Sequence, residues 1–177
     1  MHELQEIEIS FLPEERGMTM KVSEVMTKAP AYCSADTSLG AAAEIMWNHN
    51  CGFLPVVSPQ QSVVGVITDR DMCIAMATRN RLPDQVTVQE VSSVVIHSCQ
   101  PDDDVRKAVE TMADKKVRRL PVIDAAGKLE GILSLDDIIL HADSEARGSL
   151  SPEYILSTLR KLYESQLGQA QNKAASA

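Results

Sequence analysis

LPVVSPQQSVVGVITDRD, residues 54–71, returns 66 positions later as LPVIDAAGKLEGILSLDD, residues 120–137. Leu54, Pro55 and Val56 fall on Leu120, Pro121 and Val122, Gly65 falls on Gly131, and Asp71 falls on Asp137. Working outward, residues 22–72 align with 88–138 without a gap, which brings Val22, Glu24 and Val25 onto Val88, Glu90 and Val91. An internal repeat of this size is one supersecondary unit written twice, and it governs the reading of the rest of the chain.

Within each copy the hydrophobic period changes in the same order. Leu39, Ala42, Ala43 and Met46 stand at i, i+3, i+4, i+7, as do Val105, Ala108, Val109 and Met112, which predicts two matching amphipathic helices. Asp36, Thr37 or Ser38 can cap the first. Asp102, Asp103 and Asp104 put negative charge at the positive end of the second, which accounts for an acidic triplet without a metal. Apolar strands follow at 53–57 and 120–123, then turn chemistry at 58–61 and 124–127, then second strands at 63–67 and 129–133, so each pair is a hairpin. A last helix opens near Asp69 and near Leu135. The expected fold class is therefore α/β of the α+β kind: two βαββα repeats plus a C-terminal helix.

The expected boundaries are an N-terminal arm at 1–20, repeats at 21–80 and 87–142, a polar linker at 81–86 containing Pro83, and a C-terminal helix and tail at 143–177. In the arm, Ile7, Ile9 and Phe11 alternate with polar residues, which fits a short strand or a floppy arm. Ser151, Pro152 and Glu153 make a helix opening, followed by an apolar stripe of Ile155, Leu159, Leu162 and Tyr163. The stripe either packs on its own domain or forms a dimer contact, and the tail beyond Leu167 is expected to lack fixed structure.

Composition narrows the function. A length of 177 residues with 44% apolar content allows one real core, near the lower limit for two independent domains. A formal charge of −8 and 3% aromatics argue against a nucleic-acid polymer as partner, since phosphate neutralisation and base stacking need the opposite. No apolar run approaches a membrane span and the opening residues are acidic, so a cytoplasmic location without membrane contact is expected. Cys33, Cys51, Cys73 and Cys99 form no CxxC pair and read as reduced, mostly buried thiols.

Chemistry concentrates at the two turns that end the quoted stretches. Each puts a hydroxyl, Thr68 or Ser134, at a strand-to-helix junction with a carboxylate, Asp71 or Asp137, three positions on. A hydroxyl and free N–H groups at a helix start can hold a phosphate, and a nearby Asp can accept both ribose hydroxyls. The same Ser/Thr-x-x-Asp pattern is also a capping box, and taken alone either motif reads first as one. The recurring Gly65 and Gly131 are more telling, because a strand glycine marks close approach of backbone or ligand. Lys115, Lys116, Arg118 and Arg119 precede the second Leu-Pro-Val strand, whereas the first copy has Asn48, His49, Asn50, Cys51, Gly52 and Phe53 there. Adjacent guanidinium forks suit phosphate oxygens, and Arg70 either adds a positive group or pairs with its neighbours. His97 and Cys99 share a strand face but read as structural; His49 and His141 stand alone, and no HExxH, nucleophile elbow or phosphate-cradling glycine loop is present. An enzyme is not expected.

Together, the Leu-Pro-Val strand, the Gly-x-x-Thr/Ser-x-x-Asp turn and the Val-x-Glu-Val opening resemble a tandem pair of cystathionine β-synthase (CBS) domains, a Bateman module, over about residues 20 to 142. The turn at Thr68 and the stretch 117–122 look most like small stand-alone bacterial members, including those linked to stress or hypoxic responses. The resemblance implies pseudo-symmetric packing with two clefts between the repeats, and regulatory binding of an adenine nucleotide. AMP, ADP or ATP leads, with S-adenosylmethionine or NAD behind, and no cofactor is required. It assigns Asp71 and Asp137 to ribose, Thr68 and Ser134 to phosphate, and Arg118 and Arg119 to phosphate, with Arg70 nearby. The adenine walls would be Lys28, Ala29, Pro30 and Ala31 in one cleft and Val95, Ile96 and His97 in the other. Repeat one has no basic residue at Gly52 and Phe53, so the clefts are expected to be unequal. A homodimer and an unidentified regulated protein are the expected partners; a ligand-free scaffold in which the same motifs only cap helices is the alternative.

Overall fold

A computed structural model of the chain describes residues 20–142 and 150–175. The Val-x-Glu-Val opening folds as a single helical turn in both copies, α1 (Val22–Val25) in the first and a 3-10 turn, Val88–Glu90, in the second. The predicted helices are α2 (Leu39–Asn48) and α4 (Val105–Lys115). Ser38 caps α2 by accepting a bond from the Ala41 N–H at 3.2 Å, and Asp104 caps α4 by accepting from the Arg106 N–H at 2.9 Å. The rest of the acidic triplet is committed as well: Asp103 accepts from the Gln100 N–H and from Lys107, and Asp102 pairs with Lys21 at 2.7 Å.

The hairpins are β2 (Phe53–Val57) with β3 (Val63–Thr68) and β4 (Arg119–Ile123) with β5 (Leu129–Ser134). Their agreement extends to irregularities. Both carry a register shift at the same place, Val56/Val57 and Val122/Ile123, and both turn through a left-handed residue, Gln61 at φ 69° and Gly127 at φ 79°. Helix α3 (Asp69–Arg79) follows the first hairpin and α5 (Leu135–Leu140) the second.

What the βαββα reading did not contain is an exchange of leading strands. The two-residue strand β1 (Thr27–Lys28) lies in the second repeat's sheet, with Thr27 opposite Ile132 and Lys28 opposite Gly131, giving the order β1-β5-β4. Reciprocally, Ser93 of the second repeat pairs with Val66 of the first through N–H···O bonds of 3.0 and 2.9 Å. The repeated glycines are the sites of these crossings. A Cβ on Gly131 would lie 2.8 Å from the Thr27 carbonyl and 2.6 Å from Met26 Sδ, and one on Gly65 would lie 3.0 Å from the Ser93 carbonyl. The close approach that the glycines signal is thus made by backbone.

Each core is accordingly mixed. Val86 and Val88, from the linker and the second repeat, are fully buried with Leu39, Leu54 and Ile67 of the first. Val22 and Val25 of the first are buried with Val105, Leu120 and Leu133 of the second. At roughly 1.5–3 kcal/mol for each large aliphatic side chain buried, these borrowed valines are a substantial part of what holds the repeats together.

Helix α6 (Pro152–Ala175) opens on Ser151, whose Oγ accepts from the Tyr154 N–H at 3.2 Å. It packs on α4, burying Ile155 and Leu162 in the second core with Leu159 against it, so three of the four stripe residues pack on their own domain and Tyr163 is exposed. The helix runs on to Ala175, which corrects the expectation that the chain loses structure after Leu167; the Ala, Gln and Lys residues there are good helix formers. The arm at Ile7, Ile9 and Phe11 lies outside the described residues. Two further corrections concern burial. Ala43 is exposed whereas Val109, its counterpart, is buried, because α6 covers the second repeat's helices. Of the cysteines, Cys33 and Cys99 are buried, Cys51 is half-buried and Cys73 is exposed on α3; all are free thiols. No helix among the described residues is long and apolar enough to cross a membrane.

Candidate functional site

The exchange of strands brings together residues from both repeats. With Ser93 bonded to Val66, the segment after Ser93 runs beside the end of β3, where Thr68 turns the chain into α3. A cleft of about 280 Å³ opens there, close to the lower end of the ~300–1,000 Å³ usual for small-molecule sites. Thr68, Asp69 and Arg70 form one side, Val95 and His97 another, and Lys116, Val117, Arg118 and Arg119 a third. Of the sequence-predicted residues, Thr68, Arg70, Val95, His97, Arg118 and Arg119 therefore line a single cavity, whereas Ile96 is half-buried and not on its wall.

Asp71 is one step behind the wall. Its Oδ2 accepts from the Thr68 N–H at 3.0 Å and the Thr68 hydroxyl at 2.6 Å, while its own N–H donates to Thr68 Oγ1 at 3.2 Å. This is a complete capping box, and it leaves Oδ1 without a hydrogen bond among the described residues. Ser134 and Asp137 repeat the arrangement, with bonds of 2.8, 2.6 and 3.1 Å. Here the second oxygen is engaged: Asp137 Oδ1 accepts from the Thr27 hydroxyl at 3.3 Å. Thr27 arrives on the exchanged strand; its counterpart Ser93 instead turns its hydroxyl to Val95, at 3.3 Å from the carbonyl and 3.2 Å from the N–H.

Lys28, Ala29, Pro30 and Ala31 are not on the wall of this cleft. Lys28 is opposite Gly131, Ala29 takes a left-handed φ of 49°, and Ala31 packs against the first core. The sequence missed Lys116, Val117 and Asp69 as cleft residues and Thr27 as the partner of Asp137. The basic stretch was a signal for Lys116. Nothing local marked Thr27, because its role exists only through the exchange.

A larger hollow of about 600 Å³ lies outside α2 and α3, lined by Ala43, Met46, Trp47, Met72, Cys73 and Met76 among others. Among the described residues Asp69 is the one charged side chain on it. Its counterpart on the second repeat is the face closed by α6, so it is an open helical surface, and the smaller polar cleft is the better candidate for ligand chemistry.

Fold and cleft together define a class: a tandem-repeat α+β protein that builds a composite cleft between its halves. The CBS domain model matches residues 22–78 and 88–143, and the chain belongs to the CBS domain family, as a pair. It is 35% identical to the CBS domain-containing protein YhcV of Bacillus subtilis over 129 residues, 72% of this chain and 90% of that one. It is also 35% identical to an uncharacterised protein of Methanopyrus kandleri over 116 residues, 66% of this chain but 57% of that protein's length. Among solved structures, the CBS domain pair of protein MJ0100, in complex with 5′-methylthioadenosine and S-adenosyl-L-methionine, superposes with a TM-score of 0.64 at 25% identity, covering 70% of this chain and 95% of that one.

Proposed function

We propose that the protein is a regulatory binder of an adenine nucleotide, AMP, ADP or ATP, and not a catalyst. The observation that carries this reading is the convergence of Thr68, Arg70, Val95, His97, Arg118 and Arg119, from both repeats, on one cleft. The roles follow from chemistry. The guanidinium groups of Arg118 and Arg119 take phosphate oxygens, and a phosphate at Thr68 replaces the bonds that the Thr68 hydroxyl and the Arg70 N–H otherwise donate to the Asp71 and Asp69 carboxylates. Asp71 Oδ1 accepts the ribose hydroxyls, and the segment through Val95 and His97 supports the base. Support also comes from the MJ0100 pair, which holds two adenosyl compounds. Because the cleft has walls from both repeats, a bound ligand stabilises one arrangement of them. It shifts the population by no more than its difference in affinity for the two states.

Calorimetric titration with AMP, ADP and ATP should give saturable binding that is lost in Asp71→Ala, with circular dichroism confirming that the variant folds. A chain that binds none of them overturns the reading. It would leave the ligand-free scaffold, a reading favoured by one observation, that both Ser/Thr-x-x-Asp motifs form complete capping boxes. Signalling to a separate protein through a homodimer, in the cytoplasm, is part of the proposal; sedimentation of the same samples as a monomer at all concentrations would remove the dimer.

A further inference from the structure

Arg70, from the first turn of α3, and Lys116, Arg118 and Arg119, from the approach to β4, all line the Thr68 cleft; among the described residues Asp69 is the one carboxylate on its wall, with Asp71 just behind it. The chain as a whole carries a net charge of −8, and four cations outside the cleft are paired with carboxylates: Lys21 with Asp102, Lys107 with Asp103, Arg79 and Arg81 with Glu90. None of the four cleft cations takes part in a side-chain hydrogen bond or ion pair among the described residues. Like charges gathered without counter-charges repel each other, an arrangement that favours an anion of high charge.

The pseudo-equivalent turn is built differently. Asp136 stands where Arg70 does and Asn50 where Lys116 does. Arg118 and Arg119 do not separate the two turns, because Arg119 is also opposite Ser134 and the Arg118 carbonyl accepts from the Leu135 N–H. What separates them is the pair Arg70 and Lys116, together with the Thr27 hydroxyl already placed on Asp137.

We propose that the Thr68 cleft discriminates by phosphate number, taking adenosine tri- or diphosphate over the monophosphate, with Arg70 as the discriminating residue. Each additional phosphate adds negative charge and acceptor oxygens that guanidinium and ammonium groups can meet, and a cleft with four unmatched cations gains from each. The Ser134 turn, with Asp136 in place of Arg70 and Asn50 in place of Lys116, lacks two of these cations. This rests on the adenine-nucleotide reading.

The test is calorimetric titration of the full chain with adenosine, AMP, ADP and ATP at low and high salt. Affinity should rise along the series, with ATP favoured over AMP roughly tenfold at moderate salt and by less at high salt. Arg70→Asp, which copies the second repeat and puts an acidic residue where a helix start tolerates it, should abolish that preference, lowering affinity for ATP by more than affinity for AMP. AMP bound as tightly as ATP, or a preference that survives Arg70→Asp, overturns the phosphate-number inference and leaves the adenine-nucleotide reading in place. Failure of every adenylate to bind overturns both.

Discussion

At Asp71 and Asp137 one carboxylate oxygen caps the helix, which leaves the other as a separate acceptor. The two carboxylates differ in whether a hydroxyl from the exchanged strand reaches that second oxygen, as Thr27 does at Asp137. Cys33 and Cys99 show a similar tie between position and chemistry. Each follows its repeat's crossing segment and bonds back to its own hairpin, with N–H···O distances of 3.1 Å to the Pro55 and Pro121 carbonyls. Burial pushes the Cys33 thiol from 9.0 up to about 11, and burial, aided by the nearby Asp103 carboxylate, pushes Cys99 up to about 12. Above pH 9 the unfolded chain releases these protons while the folded chain retains them. Their contribution to stability is therefore complete below about pH 9 and is lost as pH rises through 11 to 12. Urea midpoints should fall between about pH 9 and 10.5, with a shallower fall in a Cys33→Ala, Cys99→Ala variant. At pH 8 a thiol reagent should modify Cys73 first and reach Cys33 and Cys99 only on unfolding; equal rates at all four would contradict the burial.

Among elements, α2 and α4 have the same sequence period and different surroundings. All four stripe residues of α4 are buried because α6 lies over them, whereas α2 leaves Ala43 and Trp47 open. Leu162 has 1% of its surface exposed and Leu156, on the same helix, 69%. Leu162→Ala should therefore cost about 2–5 kcal/mol of unfolding free energy, while Leu156→Ala should stay within about 0.5 kcal/mol. Chemical denaturation of the two variants checks this, and similar losses would mean that α6 is not seated on α4 as described. The period alone could not rank the two helices, since it reports which face is apolar and not what covers that face.

In the whole molecule, the reciprocal placement of Thr27 on Ile132 and Ser93 on Val66, with valines lodged in each other's cores, makes the repeats interdependent. Unfolding the first repeat strips β1 and the α1 valines from the second, and unfolding the second strips the Ser93 bridge and the buried Val88 from the first. Unfolding should follow one transition, with Trp47 fluorescence reporting the first repeat and far-ultraviolet circular dichroism reporting both. Coincident midpoints are expected, and two separated ones would refute the coupling. The sequence by itself determined the repeat, the α+β class, the hairpins, the helix caps and the basic stretch at Lys116 to Arg119. Those features are local, being set by residue period, turn chemistry and short-range hydrogen bonds. Only the tertiary structure decided that the leading strands are exchanged and that Arg118 and Arg119 therefore face Thr68, Arg70, Val95 and His97 in one cleft. Strand pairing across the chain is made by backbone groups common to every residue, so its imprint on the sequence was confined to the two glycines, Gly65 and Gly131, that leave room for it.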